Sequence, residues 1–545
     1  MTSLFHLPDW ISLVLIWSIW SIVPFSWSIV ILRVFGILKT SNPSSSLNSN
    51  LFYILPLLEV VFSIYQFYSI LIIQSKSNKN LIHHPIDFIR STFEQALANH
   101  LPVQSSFFDS ENPNQNAQGF QSFPFDHPIA IEFRSHQALW FKNCDWNDIK
   151  RDNMIEWLAW SLLDLKPNQI FAKHNQIDLQ KSQSDLLFHA LDLIEKRAGC
   201  KFKSGYNPKL SNQSIRLSID PIQFQFRPFA FYLFSSLSTL WVKNNLIKTG
   251  FKYLQCTKRS NDGLKYLIRK PSNWNHLNIH QRPRPIIIFH GLAFGLLQYY
   301  VLMNYLAHST WAKKRPIIIA IQPSISQEIF SSQHLKPLKK ESLTADILQL
   351  IEGEGFDKTG IDLFGHSKGS IVVGWLVKAL SEKKIIKRIC LVDPVCFCLW
   401  EPHVCYNFLY SKPKNGIERL IRYFLSSELG IANDIQKNFD WITNVLWPSE
   451  IRNCFENEQD FQNNVKVILA EEDSILNANR VKDYLVENGM KLKLIKAKKG
   501  HYQDISDQEN GGIVFLEGYR HGQSLIESAS TVGFKQVKNW FEFDK

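Results

Sequence analysis

A serine between two glycines is the first feature of the sequence that could do covalent chemistry. The stretch Gly365-His366-Ser367-Lys368-Gly369 has the G-x-S-x-G pattern, in which a serine hydroxyl acts as a nucleophile. The pattern alone is weak evidence, because it arises by chance in roughly one in ten chains of this size. The surrounding elements have to show whether this serine is reactive.

A nucleophilic serine needs a histidine that takes its proton. In chains with this motif the acidic partner follows the serine, and the histidine comes last. Gly500-His501 stands just after the apolar and basic run 491–495, which we interpret as the last strand of the sheet. The sequence therefore predicts His501 as the general base.

A carboxylate must orient that histidine and balance its positive charge. Asp473 follows the apolar run 465–469 and precedes the histidine strand, so it is the expected acid. Glu471 and Glu472 are adjacent alternatives. Asp393, which follows the run 389–392, occupies the other place where such an acid can stand.

Backbone N–H groups have to stabilise the oxyanion that forms when the serine attacks an acyl carbonyl. One donor is expected at Lys368, directly after the serine, and a second at Leu292, in the loop that follows His290-Gly291. Gly291 allows this loop to approach the serine closely, and His290 is expected to shape the loop without taking part in the chemistry.

The elements around these residues have the pattern of a parallel α/β sheet. Short apolar runs alternate with helical periodicity from residue 251 onward, and the run 360–364 leads directly into the serine motif. Ile371, Val372 and Trp375 then mark one face of a helix, so the motif lies at a strand-to-helix turn. The expected strands are 251–257, 264–269, 285–289, 316–321, 360–364, 389–392, 465–469 and 491–495.

Composition limits the classes of protein that are possible. The 545 residues are 45% hydrophobic and 20% charged, which fits a large folded core, and the net charge is +11. A basic surface suits nucleic acid or an anionic membrane. The chain has no zinc-finger spacing or RNA-binding signature, so no nucleic-acid partner is expected. The 8 cysteines show neither a disulfide framework nor a metal-binding spacing, and no metal or organic cofactor is implied.

Two apolar runs near the N-terminus are long enough to cross a bilayer. Residues 10–32 carry no charge, and the basic segment and cleavage site of a secretory signal are missing. Pro24 is expected to kink this helix or turn it back as a hairpin. Residues 51–74 contain Glu59, so this run is interpreted as a second membrane helix or as an interfacial segment.

These patterns divide the chain into three parts. Residues 1–80 form a membrane-anchoring region, residues 81–250 a helical and irregular region that packs on the core, and residues 251–545 the catalytic domain. Within 81–250, Asp152 is the expected N-cap of a helix that ends near residue 163. The aromatic run 229–242 is either a buried core helix or a contact with the membrane surface.

A long insertion, residues 396–463, separates two of the predicted strands and exceeds an ordinary loop many times over. We interpret it as a helical cap that lines a pocket for an apolar acyl chain, with ordinary helical packing over the sheet as the alternative. Its apolar and aromatic residues include Phe397, Leu399, Trp400, Tyr406, Phe408, Leu409, Tyr423, Phe424 and Trp441.

Taken together, residues 251–545 resemble the α/β-hydrolase superfamily. The matching residues are His290-Gly291, the Ser367 motif, Asp473 and His501, in the family's order. The stretches HGLAFGLLQY, LVDPVCFCLWEPHVCYNFLY and RDNMIEWLAWSL further resemble a group of membrane-anchored fungal hydrolases of no known substrate. The resemblance implies an α/β-hydrolase fold and a Ser-Asp-His catalytic triad.

The sequence therefore predicts a membrane-bound serine hydrolase that cleaves carboxylic esters, with a lipid ester as substrate. An acyltransferase, a thioesterase or a peptidase on the same site, and an inactive membrane scaffold, remain alternatives. The His-x4-Asp motif of some acyl-transferring relatives is missing, since His501 is followed by Asp504 and Asp507. The expected location is an internal membrane such as the endoplasmic reticulum, and the sequence does not indicate an oligomeric state.

Overall fold

The computed structural model describes residues 8–37, 46–75, 84–99, 122–170, 179–210, 213–256, 262–495 and 511–543. The predicted base, His501, lies outside these residues.

A mixed, mostly parallel sheet forms the centre of the described chain. Its strands are β1 (Lys252–Gln255), β2 (Lys265–Arg269), β3 (Ile286–Phe289), β4 (Ile317–Ile321), β5 (Ile361–His366), β6 (Ile386–Val392), β7 (Val465–Ala470), β8 (Leu492–Ile495) and β9 (Gly512–Leu516). Their spatial order is β1-β2-β4-β3-β5-β6-β7-β9-β8. Strand β2 pairs antiparallel with β1 and β4, and every other pair is parallel.

Eight of these strands lie at the positions that the apolar runs predict, and β9 was missed. Strand β9 pairs with β7 on one side and with β8 on the other. The expected last strand is therefore the edge strand β8, and the chain returns to insert β9 between β7 and β8. The carboxyl end of β9, rather than that of β8, lies beside the carboxyl end of β7.

Helices precede, cover and interrupt the sheet. Before it come α1 (Asp9–Trp20), α2 (Ile22–Val34), α3 (Ser46–Ser75), α4 (Ile86–Ala98), α5 (Pro128–Leu139), α6 (Arg151–Leu163), α7 (Pro167–Ile170), α8 (Lys181–Ala198) and α9 (Phe229–Lys248). Between β3 and β6 lie α10 (Tyr300–His308), α11 (Lys340–Glu354) and α12 (Gly369–Leu380).

The cap between β6 and β7 is helical, as expected for the insertion at 396–463. It contains short helices and three π-helical turns, Tyr406–Tyr410, Arg422–Ser426 and Asn433–Lys437. The helices are α13 (His403–Cys405), α14 (Gly416–Ile421), α15 (Leu429–Ala432), α16 (Trp441–Asn444), α17 (Pro448–Arg452) and α18 (Glu458–Asn464). Three helices follow the cap: α19 (Ala478–Glu487), α20 (Gln523–Ile526) and α21 (Val532–Glu542).

The region before the sheet shares its hydrophobic core with the sheet and the cap. Trp157 and Leu158 of α6 belong to the same buried cluster as Ile371 of α12 and Leu446 of the cap. Helix α6 begins at Arg151 with Lys150 as its N-cap, so Asp152 lies in the first turn instead of at the cap. Asn153 Oδ1 accepts the Lys150 N–H at 3.3 Å, which explains the shift of two positions.

Two helical segments of the described chain are long and apolar enough to cross a membrane, Asp9–Val34 and Tyr53–Ser75. The first is α1 continued by α2, with Ser21 between them at right-handed helical angles. Pro24 has no N–H to donate to Trp20, so the helix is interrupted there, but it does not turn back as a hairpin. Arg33 of α2 stacks on the ring of Tyr53 in α3, 3.4 Å from its centroid.

Glu59, the lone carboxylate of the second apolar run, caps the N-terminus of α9. Both of its oxygens lie 2.8 Å from the N–H of Phe229. Gln66, two turns further along α3, donates to the carbonyl of Arg227 at 3.0 Å. The polar side of α3 therefore packs on the protein, and its charge does not face outward.

Helix α9 is buried on one side, as the core-helix interpretation of the aromatic run predicts for that side. Tyr232 and Val242 are buried against the core. The opposite side exposes a row of large apolar side chains. This row consists of Leu233, Phe234, Leu237, Leu240, Trp241 and Ile247.

Candidate active site

Ser367 lies on a strained turn between β5 and α12. Its φ of 50° falls in the left-handed region, which is rare for a residue with a side chain and is typical of functional turns. A Cβ on Gly365 would lie 2.8 Å from Val373 Cγ2, and one on Gly369 would overlap the Phe289 carbonyl. The two glycines are therefore required by the packing of the turn, as the motif predicts.

An aspartate and a histidine complete a hydrogen-bonded chain with this serine. His521 Nε2 lies 2.9 Å from Ser367 Oγ, and His521 Nδ1 lies 2.6 Å from Asp473 Oδ2. Asp473 Oδ1 accepts the N–H groups of Ile475 and Leu476 at 2.7 and 3.1 Å. These contacts fix the carboxylate so that it can hold the imidazole with Nε2 facing the serine.

The sheet explains why these two residues meet. Asp473 follows β7 and His521 follows β9, and the two strands are parallel neighbours. The carboxyl ends of neighbouring parallel strands lie at one edge of the sheet, where the turn after β5 also places Ser367.

The histidine in contact with Ser367 is thus His521, and the expectation of His501 needs correction. His501 follows the edge strand β8, whereas the position beside Asp473 belongs to the loop after β9. The apolar run Gly512–Leu516 followed by His521-Gly522 was the signal in the sequence that could have indicated this. Of the residues expected in the triad, the structure brings together Ser367 and Asp473.

Asp393, the alternative acid, is buried beside the triad but makes no hydrogen bond to His521 that the structure describes. Its Oδ1 accepts the N–H of Ala470 at 2.9 Å, and its Oδ2 accepts the N–H of Gly522 at 2.7 Å. Burial raises the pKa of Asp393, the charge of His521 opposes this and the Asp473 carboxylate adds to it, with a net pKa of about 7. Asp393 thereby ties the end of β7 to the loop that carries His521.

Opposing effects act on the protonation of His521. Burial disfavours the imidazolium, but the charge of Asp473 and its hydrogen bond outweigh this, and the pKa of His521 is raised above its ordinary value. The charge of Asp393 also raises the pKa of His521. A carboxylate that stabilises the imidazolium suits a base that must hold the serine proton during the reaction.

The loop after β3 lies against the serine. A Cβ on Gly291 would lie 2.7 Å from Ser367 Cβ, so only glycine permits this approach. The Gly291 N–H itself is occupied, since it donates to Tyr299 Oη at 2.8 Å. In the described part of the chain, the N–H groups of Leu292 and Lys368 donate to no protein acceptor. These are the two N–H groups that the sequence analysis expects as oxyanion donors.

His290 and His366 are structural histidines of this corner. His290 Nδ1 donates to the Gly291 carbonyl at 2.8 Å, and its Nε2 accepts the Gln322 N–H at 3.3 Å. His366 Nδ1 lies 2.6 Å from Tyr299 Oη, so Tyr299 joins the Gly291 loop to the serine turn. Burial lowers the pKa of both histidines, which keeps them neutral.

The side chain of Lys368 connects the serine turn to the cap, a role that the sequence did not reveal. Its Nζ lies 2.6 Å from Asp434 Oδ1, and Ser324 Oγ donates to Asp434 Oδ2 at 2.9 Å. Both charged side chains are about nine-tenths buried, at 11% and 8% exposure. The ion pair therefore joins the π-helical turn Asn433–Lys437 of the cap to the turn that carries Ser367.

A cavity of about 410 Å³ opens from Ser367 and is mainly apolar. Its walls come from the cap, from α12 and from the region before the sheet. Of the nine cap residues expected to line a pocket, Leu399, Phe408, Leu409 and Trp441 do so. Further wall residues, which the sequence did not indicate, are Ile86, Ile89, Trp140, Trp160, Leu163, Leu292, Ile371 and Val404.

Two groups of three side chains in the described chain have atoms close enough to share a metal ion: Asp393, Asp473 and His521, and His136, Glu401 and His403. The first group is already joined to the serine and to backbone N–H groups by the hydrogen bonds above. In the second, Glu401 forms an ion pair with Arg480 at 2.8 Å. The arrangement therefore supports nucleophilic chemistry at the serine.

No protein-family model matches the sequence. No curated protein matches it either. Among solved structures, the chain is similar to naproxen esterase from Bacillus subtilis, at 11% identity and a TM-score of 0.34 over 56% of this chain and 98% of that one. It is also similar to carboxyl esterase 2 from Tuber melanosporum, at 15% identity and a TM-score of 0.34 over 54% of this chain and 85% of that one. A third similar structure is an esterase from Pyrobaculum calidifontis, at 15% identity and a TM-score of 0.33 over 59% of this chain and 93% of that one. Similarity at this level assigns no activity to the chain.

Proposed function

We propose that the protein is a membrane-bound serine hydrolase of the α/β-hydrolase type that cleaves carboxylic esters of lipids. The observation that carries this proposal is the chain of hydrogen bonds from Asp473 through His521 to Ser367. It stands beside the unoccupied N–H groups of Leu292 and Lys368. A nucleophile, its base and an oxyanion site are thus gathered at one strained turn.

The reaction follows from this geometry. Ser367 Oγ attacks the ester carbonyl while its proton passes to His521 Nε2, and Asp473 stabilises the imidazolium. The N–H groups of Lys368 and Leu292 bind the oxyanion, and each such donor is worth about 3 kcal/mol of transition-state stabilisation. His521 then protonates the departing alcohol, which leaves an acyl-enzyme on Ser367. Water, activated by His521, releases the carboxylic acid and restores the serine.

The large cavity supports an acyl chain as the part of the substrate next to the serine. A volume of 410 Å³ lies within the range of ligand sites, and leucine, isoleucine, phenylalanine and tryptophan form most of its wall. An alkyl chain placed there exchanges water for apolar contacts at every methylene, at about 0.8 kcal/mol for each. Long-chain esters should therefore be preferred over short ones.

Three features support attachment to a membrane. Segments Asp9–Val34 and Tyr53–Ser75 have the length and composition of membrane spans. Helix α9 packs on α3 and presents its exposed apolar row beside it, which fits a helix lying in the bilayer interface. All eight cysteines are unpaired. This fits a catalytic domain on the reducing side of an internal membrane, such as the cytosolic face of the endoplasmic reticulum.

The test is hydrolysis of p-nitrophenyl esters with acyl chains from acetyl to palmitoyl by the full chain in detergent. We expect kcat/KM to rise with chain length. Ser367→Ala should lower kcat on the order of 10⁵-fold or more. The matched control Ser381→Ala, at the far end of α12, should retain full activity.

Failure of a folded wild-type protein to cleave any of these esters would overturn the proposal in favour of an inactive scaffold. Formation of palmitoyl esters of added glycerol from the p-nitrophenyl palmitate, in excess of hydrolysis, would instead assign the same site to acyl transfer.

A further inference from the structure

A second cavity reaches the catalytic residues from the side of His521. Its volume is about 210 Å³, half that of the acyl cavity. Unlike the first cavity, it is lined largely by polar and charged side chains. The lining residues are Asn415, Ile417, Glu418, Ile421, Glu472, Ser474, Arg520 and His521.

The two cavities meet the Ser367–His521 pair at different residues. Ser367 lines the apolar cavity and His521 lines the polar one. Their oxygen and nitrogen atoms are 2.9 Å apart. A small cavity of about 20 Å³ shares Phe408 and Ile475 with the wall of the apolar cavity, and Ile421 and Ser474 with the wall of the polar one.

An ester bound for cleavage must place its acyl part beside Ser367 and its alcohol part beside His521. The bond from Ser367 Oγ forms to the carbonyl carbon, while the bond from that carbon to the alcohol oxygen breaks. The proton that left Ser367 moves from His521 Nε2 to this departing oxygen. The acyl part therefore extends from the serine, and the alcohol part must lie within hydrogen-bond reach of the histidine.

We propose that the polar cavity binds the alcohol part of the substrate and selects a compact, uncharged, hydroxyl-bearing alcohol of the size of glycerol. This inference rests on the proposed esterase function. Its claim about the alcohol stands on the polar cavity alone and is independent of the length of the acyl chain.

The charges around the cavity support an uncharged occupant. Glu472 forms an ion pair with Arg520, with Oε2 and Nε 3.2 Å apart. Glu418, the other carboxylate, accepts hydrogen bonds from the Lys414 N–H at 2.7 Å and from Asn415 Nδ2 at 3.0 Å. A ligand in this cavity therefore meets mainly hydrogen-bond donors and acceptors. An alcohol with several hydroxyl groups can pair with both kinds.

Size supports the same class of alcohol. A water molecule occupies about 30 Å³ in the liquid, so a cavity of 210 Å³ holds several groups of that size. Ile417 on α14 provides one of the two apolar side chains of the wall and offers a position at which the cavity can be filled.

The test compares three substrates with one acyl chain in mixed detergent micelles: methyl oleate, 1-oleoylglycerol and 1-oleoylglycerol 3-phosphate. The full-length wild type should prefer 1-oleoylglycerol over its phosphate by about five-fold or more. Ile417→Trp fills the cavity and should lower kcat/KM for 1-oleoylglycerol about ten-fold, with methyl oleate within about two-fold of the wild type. Ile417→Leu, which conserves volume, is the matched control and should change neither value.

A second pair of variants tests the charge balance. Glu472→Gln removes one negative charge beside Arg520, so the phosphate-bearing ester should gain about three-fold relative to 1-oleoylglycerol. Glu471→Gln alters the neighbouring carboxylate, which bonds to the Gly518 N–H outside the cavity, and should leave the ratio unchanged.

The outcomes separate this inference from the function on which it rests. The cavity does not bind the alcohol if Ile417→Trp lowers kcat/KM equally for methyl oleate and 1-oleoylglycerol. The same conclusion follows if this variant changes kcat/KM for neither substrate. A wild-type preference for the phosphate would also overturn the inference, and in both cases the esterase would stand. If the wild type cleaves no oleoyl ester, including methyl oleate, the proposed function fails as well.

Discussion

Replacement of Gly291 by alanine tests the close approach between the oxyanion loop and the nucleophile. The added Cβ would lie 2.7 Å from Ser367 Cβ, and 3.1 Å from both His366 Nδ1 and the His366 carbonyl oxygen. Carbon atoms in contact are ordinarily separated by about 3.5–4.0 Å, so the overlap is close to 1 Å. Both Cβ atoms are fixed to the backbone, and no side-chain rotation can relieve the contact.

The loop or the serine turn must therefore move. A displacement of about 1 Å at the reacting atoms costs on the order of 100-fold in rate, and overpacking of this kind costs about 1–3 kcal/mol of stability. Gly291 does not have a positive φ, so backbone strain does not add to the effect. We expect Gly291→Ala to remain folded and to lose about 100-fold in kcat/KM.

The assay is hydrolysis of p-nitrophenyl esters, with thermal unfolding measured on the same preparations. Gly353→Ala is the matched control, because Gly353 lies in helix α11 and no neighbouring atom stands within 4 Å of the added Cβ. That control should keep full activity and gain up to about 1 kcal/mol in stability. Gly291→Ala with kcat/KM within about three-fold of the wild type would refute the packing assigned to this corner.

Three further results are expected. Lys368→Met leaves the buried Asp434 carboxylate without the Lys368 cation, so the free energy of unfolding, measured by chemical denaturation, should fall by about 3–5 kcal/mol. The double variant Lys368→Met with Asp434→Asn should recover part of this loss. In pH profiles, activity should fall as pH decreases through the raised pKa of His521, because the imidazolium cannot accept the serine proton. Asp473→Asn should move this acid limb to lower pH while kcat drops on the order of 10⁴-fold, and an unmoved limb would argue against the Asp473–His521 pair. Leu163→Trp narrows the acyl cavity, so kcat/KM should fall for palmitoyl esters and hold for acetyl esters; equal losses on both would contradict the placement of the chain.

The sequence predicted the features that local patterns encode. Short runs such as Ile317–Ile321 and Val465–Ala470 are rich in β-branched and other apolar residues and are buried along their whole length, which is typical of strands covered on both faces. The glycines around Ser367 indicated the strand-to-helix turn, since their neighbours leave no room for a Cβ. Asp473 comes three residues after β7, so the apolar run of that strand was enough to predict where Asp473 lies.

The features that the sequence did not indicate depend on pairs of residues far apart in the chain. Strand β9 follows β8 in the chain but lies between β7 and β8 in the sheet, and this places His521 where His501 was expected. Lys368 and Asp434 are 66 residues apart, and Glu59 and Phe229 are 170 apart. No periodicity in a single segment reveals such contacts. For the same reason, the sequence did not predict that residues of α4 and α6 line the apolar cavity.

Labelling by a fluorophosphonate probe tests the central claim most directly, because the probe reacts only with an activated serine and requires no knowledge of the substrate. The rates should be compared for the full-length wild type, Ser367→Ala, His521→Ala and His501→Ala in detergent. We predict rapid labelling of the wild type and of His501→Ala, none of Ser367→Ala, and a rate on the order of 10³-fold lower or less for His521→Ala. Loss of labelling in His501→Ala with full labelling of His521→Ala would contradict the assignment of His521 as the base.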